Sequence, residues 1–144
     1  GLGATPMIAN SAASLEHRKW AERIFSHVGI TSWTEHEPDM DSFTALSGSG
    51  PAYIFSFIEA LIQGAVALGL DELTAKDFAM QTVQGALNLA QNSDLSLSEL
   101  RTGVTSPGGT TAAALNILHE PLADLVHKAM RAAQQRAQQL GQLH

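Results

Sequence analysis

The residues best equipped for chemistry lie in VTSPGGTT, positions 104–111, directly ahead of a run of alanines and leucines. Pro107 stiffens the segment, and Gly108 and Gly109 let a ligand approach the main chain without meeting a Cβ. A helix starting at Thr110 or Thr111 would offer its first amides, which have no intrahelical acceptor, to an anion. Ser106, Thr110 and Thr111 add hydroxyls able to donate or accept. No lysine follows the glycines, which argues against a nucleoside triphosphate loop and leaves a carboxylate as the better guest. Ser, Thr, Gly and Pro are also ordinary loop residues, so a plain turn with an N-cap explains the same letters.

A second segment, SGSGPAY at 47–53, has the same texture: small residues, then proline, then a helix. It is no dinucleotide fingerprint, because Tyr53 stands where a third glycine belongs; close helix packing and a ligand account for its glycines equally well. The six histidines, at 17, 27, 36, 119, 127 and 144, have no metal-ligand spacing, and no metal site is expected. Glu35, Glu37, Asp39 and Asp41 read as a solvated junction and not as a catalytic pair.

Helices must position these loops. Leu15, Trp20, Ile24 and Phe25 give helical spacing after Ser14, with Gly29 as the stop; short apolar GLGATPMIA precedes and ITSWTEHE follows, so the first forty residues read as strand, helix, strand. Strand signals vanish from Asp41. Ile54, Ile58, Leu61, Ile62, Ala65 and Leu68 form the stripe of a helix expected to be buried nearly all round, with Pro51 in its first turn. Thr74 with Asp77, and Ser96 with Glu99, have capping-box spacing ahead of two further helices, the second ending near Gly103. A helix from Thr110 or Thr111 to Leu118 and another from Pro121 to about Leu140 complete five. A helix this apolar needs partners that one chain of 144 residues supplies poorly, so an obligate dimer is expected.

Composition narrows the partners. The net charge of -6, without a basic cluster, speaks against nucleic acid. The longest apolar run, near Ala60 to Leu70, is broken by Gln63 and two glycines, so no membrane span is expected. With no cysteine there is neither a disulfide framework nor a thiolate metal site. The chain opens at Gly1 without a signal-peptide pattern and reads as a cut piece of something longer, cytoplasmic in location.

The order and separation of ALSGSGPAYIFSFIEAL and ELRTGVTSPGGTTAAAL resemble the pyrroline-5-carboxylate reductase family along nearly the whole chain. The resemblance implies a mainly α fold: residues 1–40 a short β-α-β remnant of a Rossmann-type dinucleotide-binding domain, and 41–144 an all-helical substrate-binding and dimerisation domain. It implies NAD(P)H-dependent reduction of 1-pyrroline-5-carboxylate to L-proline in proline biosynthesis, by a homodimer or higher homo-oligomer, with NADPH or NADH as hydride donor. Val104, Ser106, Gly108, Gly109, Thr110 and Thr111 match the substrate loop, whose backbone amides would hold the carboxylate at the seam between protomers. Thr111 stands where a hydroxyl would hydrogen-bond the ring nitrogen. Asp94 replaces a common Glu, a His-Pro pair before Glu99–Leu100 is missing, and the glycine pair expected between the last two helices is absent. No cofactor residue is placed, because the glycine-rich fingerprint is missing. The chain alone is therefore expected to dimerise without catalysing reduction. A reductase of another small cyclic imino acid, such as a six-membered imine, and a non-catalytic helical dimerisation module stand as alternatives.

Overall fold

The computed structural model of the chain describes residues 1–142; Leu143 and His144 lie outside the described residues. By packing, Gly1–Pro51 together with the C-terminal segment from His127 form one unit, and Ala52–Val126 form another.

The first unit begins with a β-α-β element. β1 (Gly3–Met7) and β2 (Gly29–Trp33) pair in parallel, from Gly3 opposite Gly29 to Met7 opposite Trp33. The crossover is α1 (Leu15–Phe25), which packs on β2. Ser14 caps α1 as expected: its Oγ accepts from the His17 amide at 3.2 Å while the Ser14 amide donates to His17 Nδ1 at 3.4 Å. Gly29 is not the helix stop. α1 ends at Phe25 with Ser26 as C-cap, and Gly29 opens β2, where an added Cβ would run into the Gly3 carbonyl across the pair.

The acidic junction folds into a turn. Thr34 Oγ1 donates to Asp39 Oδ2 at 2.5 Å and accepts from the His36 amide at 3.1 Å. Helical geometry starts there, earlier than the small-residue segment suggested. α2 (Asp39–Phe43) runs through a π-helical turn, Thr44–Gly48, into α3 (Gly50–Ala67). The Ser49 amide reaches back five residues to the Thr44 carbonyl at 2.8 Å. That wider turn directly precedes Pro51, which lacks an N–H and crowds the carbonyl four residues back. Met7 and Ala45 are buried in this unit, and Gln134 Nε2 donates to Ser42 Oγ at 2.8 Å, fastening the C-terminal segment to α2.

The second unit is helical: most of α3, then α4 (Glu72–Gln91), α5 (Leu97–Gly103) and the first part of α6 (Thr110–Gly141). α4 starts earlier than the Thr74–Asp77 spacing suggested, because Asp71 is its N-cap and accepts from the Thr74 amide at 3.0 Å. The two helices expected on either side of Pro121 are one, with the proline inside it. A proline in a helix interior loses one hydrogen bond and strains its turn. Without a glycine between Leu118 and Leu122, however, no residue there favours the left-handed conformation that commonly ends a helix.

Among the described residues of this unit, only Ile58, Ala75 and Ala79 are buried apolar side chains. α3 was expected to be enclosed; within one chain it is not. Ile54, Phe55, Leu73 and Phe78 stay between 53% and 69% exposed. Covering what remains exposed of those four would contribute on the order of 4–8 kcal/mol. By length and composition alone the continuous run Asp39–Ala67 is long and apolar enough to cross a membrane, a stretch that the reading of Ala60 to Leu70 passed over. A helix embedded in protein on several sides has the same composition.

α5 has the capping box that its sequence announces. Glu99 Oε2 accepts from Ser96 Oγ at 2.7 Å and from the Ser96 amide at 2.8 Å, while Ser96 Oγ accepts from the Glu99 amide at 3.2 Å. The Ser96 hydroxyl first, and its amide second, hold the Glu99 carboxyl below the ordinary carboxylate range. A depressed folded-state pKa contributes stability that is complete above the unfolded value and lost as pH falls through the folded one. Ser96→Ala should therefore raise the Glu99 midpoint toward the ordinary value in a carboxyl-carbon NMR titration, and an unchanged midpoint would refute this account of the cap.

Candidate functional site

The segment between α5 and α6 is short and tightly specified. Ser106, Pro107, Gly108 and Gly109 form a hydrogen-bonded turn: the Gly109 amide donates to the Ser106 carbonyl at 3.0 Å, and Gly108 has φ +70°. Proline at the second position and a left-handed glycine at the third are what a type II turn requires. Gly109 leaves little room for a side chain, since a Cβ there would displace the Ser106 hydroxyl and come within 3.2 Å of the Ser106 carbonyl oxygen. α6 begins at once, with the Ala113 amide donating to the Gly109 carbonyl at 3.1 Å.

That geometry leaves the amides of Thr110, Thr111 and Ala112 without an acceptor among the described residues. They point out of the start of a long helix, where the aligned peptide dipoles add partial positive charge. The hydroxyls of Ser106, Thr110 and Thr111 likewise have no hydrogen bond among the described residues. Thr111 is half-buried, whereas Val104, the C-cap of α5, is 63% exposed. Val104, Ser106, Gly108, Gly109, Thr110 and Thr111 thus share one continuous strap. It presents several donors and no carboxylate, and can hold a small anion.

Thr105, which the sequence reading passed over, turns the other way. Its Oγ1 donates to the Arg101 carbonyl at 2.6 Å and its amide to the Thr102 carbonyl at 3.0 Å. The signal available in the sequence was a β-branched hydroxyl residue just past a short helix, a type that bonds back to the carbonyl four residues earlier. Asp94 lies exposed between α4 and α5, without a hydrogen bond to the loop. The Tyr53 hydroxyl is buried and has no partner among the described residues. No group of three or more metal-binding side chains occurs among the described residues.

Among the described residues, two of the cavities lie in the first unit, and the loop lines neither of these. One of about 630 Å³ is bordered by Ile8, Glu37, Met40, Asp41 and Gln138; a smaller apolar one of about 130 Å³ sits between the sheet and Phe43 and Leu46.

The family model described as pyrroline-5-carboxylate reductase dimerisation matches residues 37–140. The chain belongs to the pyrroline-5-carboxylate reductase family. It is 39% identical over 143 residues to the pyrroline-5-carboxylate reductase of Pasteurella multocida, covering 98% of this chain and 52% of that protein. It is 41% identical over 145 residues to that of Pseudomonas aeruginosa, covering 97% and 53%. Among solved structures it is similar to a pyrroline-5-carboxylate reductase from Coxiella burnetii, TM-score 0.90 at 43% identity, covering 96% of this chain and 52% of that one. A Plasmodium falciparum pyrroline carboxylate reductase with NADP bound gives TM-score 0.84 at 34% identity, covering 94% and 53%. The chain spans about half the length of the curated relatives it matches. The loop 104–111 falls inside the segment that matches the pyrroline-5-carboxylate reductase model.

Because nothing crowds the Cβ position of Gly108, its replacement isolates the backbone requirement. Gly108→Ala should lower unfolding stability by about 1–2 kcal/mol through the left-handed φ alone. Gly108→Asn should recover part of it, as measured by chemical denaturation; equal stability of the Ala variant would exclude the type II geometry.

Proposed function

We propose that this chain forms the substrate-binding and dimerisation part of a reductase acting on the C=N bond of 1-pyrroline-5-carboxylate to give L-proline, with a nicotinamide dinucleotide as hydride donor. The observation that carries this reading is the trio of unpartnered amides at Thr110, Thr111 and Ala112 behind a type II turn, inside the family-matched segment. A carboxylate is planar, singly charged and small enough to take two such donors at once. The Ser106 hydroxyl adds a third donor beside the turn. With the carboxylate fixed, the Thr111 hydroxyl is the group assigned to the ring nitrogen: it orients the imine and donates a hydrogen bond to the nitrogen that gains a proton as the carbon is reduced.

The described residues do not fit a dinucleotide. The β1–α1 connection, Ile8 to Ser14, holds no glycine, and at the start of α1 the His17 amide is taken up by Ser14 Oγ while the Ser14 amide donates to His17 Nδ1. No step is therefore assigned to the donor's side of the reaction from this chain's residues. We assign residues 1–40 to the dinucleotide-binding part and 41–144 to the helical part, and place the enzyme in the cytoplasm. The relative solved with NADP bound favours NADPH over NADH as donor.

The uncovered apolar faces of α3 and α4 support a dimer as the working form. Sedimentation should find the chain as a dimer at micromolar concentration, and a monomer would remove that support. Thr111→Ala, made in the complete reading frame that encodes this chain, should lower turnover of 1-pyrroline-5-carboxylate about ten- to a hundredfold with the fold intact. Unchanged turnover would refute the role of Thr111. A wild-type rate higher on the six-membered imine than on the five-membered one would redirect the substrate assignment.

A further inference from the structure

We propose that Thr105 is a positioning residue: its side chain anchors the anion-holding turn to the end of α5 and so sets where the amides of Thr110, Thr111 and Ala112 point. This deepens the functional reading above and rests on it.

The loop must connect two helices while holding its donors still. A free strap of six residues between Gly103 and Thr110 would sample many conformations, and each one that misdirects the amides weakens anion binding. Four carbonyls at the end of any helix have no intrahelical donor. At the end of α5, Val104 N–H donates to the Leu100 carbonyl at 3.3 Å, Thr105 N–H to the Thr102 carbonyl at 3.0 Å, and Thr105 Oγ1 to the Arg101 carbonyl at 2.6 Å. Two of those three bonds belong to Thr105, and the side-chain bond is the shortest.

The contrast with its neighbours is the telling feature. Val104, Ser106, Pro107 and Gly108 are exposed, and Thr105 is partly covered between them. Its hydroxyl is committed to α5, whereas the hydroxyls of Ser106, Thr110 and Thr111 are uncommitted among the described residues. The very next residue, Ser106, supplies the carbonyl that closes the type II turn onto Gly109. Thr105 is therefore the last fixed point before that turn, and Gly109 closes it. Loss of the Thr105 hydroxyl would free the Arg101 carbonyl and let the turn pivot about Val104, without altering any group that faces the ligand.

The test compares Thr105→Val, which keeps the shape and loses the hydroxyl, with Thr105→Ser, which keeps the hydroxyl, in the complete reading frame. Thr105→Val should raise the KM for the imino acid about fivefold, the ratio that one net hydrogen bond commands, and leave the KM for the dinucleotide unchanged. Thr105→Ser should return to within about twofold of wild type. Amide hydrogen exchange gives a second reading that needs no turnover. Exchange at Gly109 should quicken about fivefold in the Val variant and not in the Ser variant. Wild-type KM and exchange in Thr105→Val, or no recovery in Thr105→Ser, would overturn the proposal. Absence of imine reduction by the wild type would instead defeat the functional reading, and the exchange rates would then decide the role of Thr105 alone.

Discussion

The constraint on which the rest depends is that the helical residues cannot bury their own apolar faces. Every helix needs a covered stripe, and α3 through α6 are far richer in apolar residues than the cover one chain gives them. The few buried side chains of that unit are small or single: two alanines on α4 and one isoleucine on α3. Burial of large exposed residues such as Phe55 and Phe78 must come from outside the chain, and it is worth more than the local hydrogen bonds that shape the ends of the helices. Caps and turns set where each helix starts, while external cover decides whether the array persists. The loop 104–111 inherits this dependence, because α5 and α6 are its two anchors.

Much of this was legible in the letters, for stateable reasons. The β-α-β opening followed from apolar spacing, and the caps at Ser14 and Ser96 from side chains that reach only their own first turn. Such features are decided within four residues. The placement of the loop glycines was readable because a left-handed φ and an absent Cβ are properties of single positions, and the resemblance to the family placed the loop in its reaction.

The misreadings arose where two local signals competed. Thr74 and Asp77 have good capping-box spacing, but Asp71 three residues earlier offers a carboxylate to the same amide and starts α4 sooner. The small residues before Pro51 looked like a break, yet a π-helical turn carries the chain past the proline without leaving helical geometry. Pro121 looked like a boundary, and the residues around it continue the helix regardless. Thr105 was overlooked since its chemistry is spent inward, on a carbonyl, and a list of ligand-facing hydroxyls does not reveal such a residue.

The continuity of α6 through Pro121 has a mechanical consequence. At 1.5 Å per residue its 32 residues amount to roughly 48 Å of helix. Its weakest rung is about a third of the way along, where Pro121 has no N–H to donate to the Ile117 oxygen. Thermal bending should concentrate at that notch.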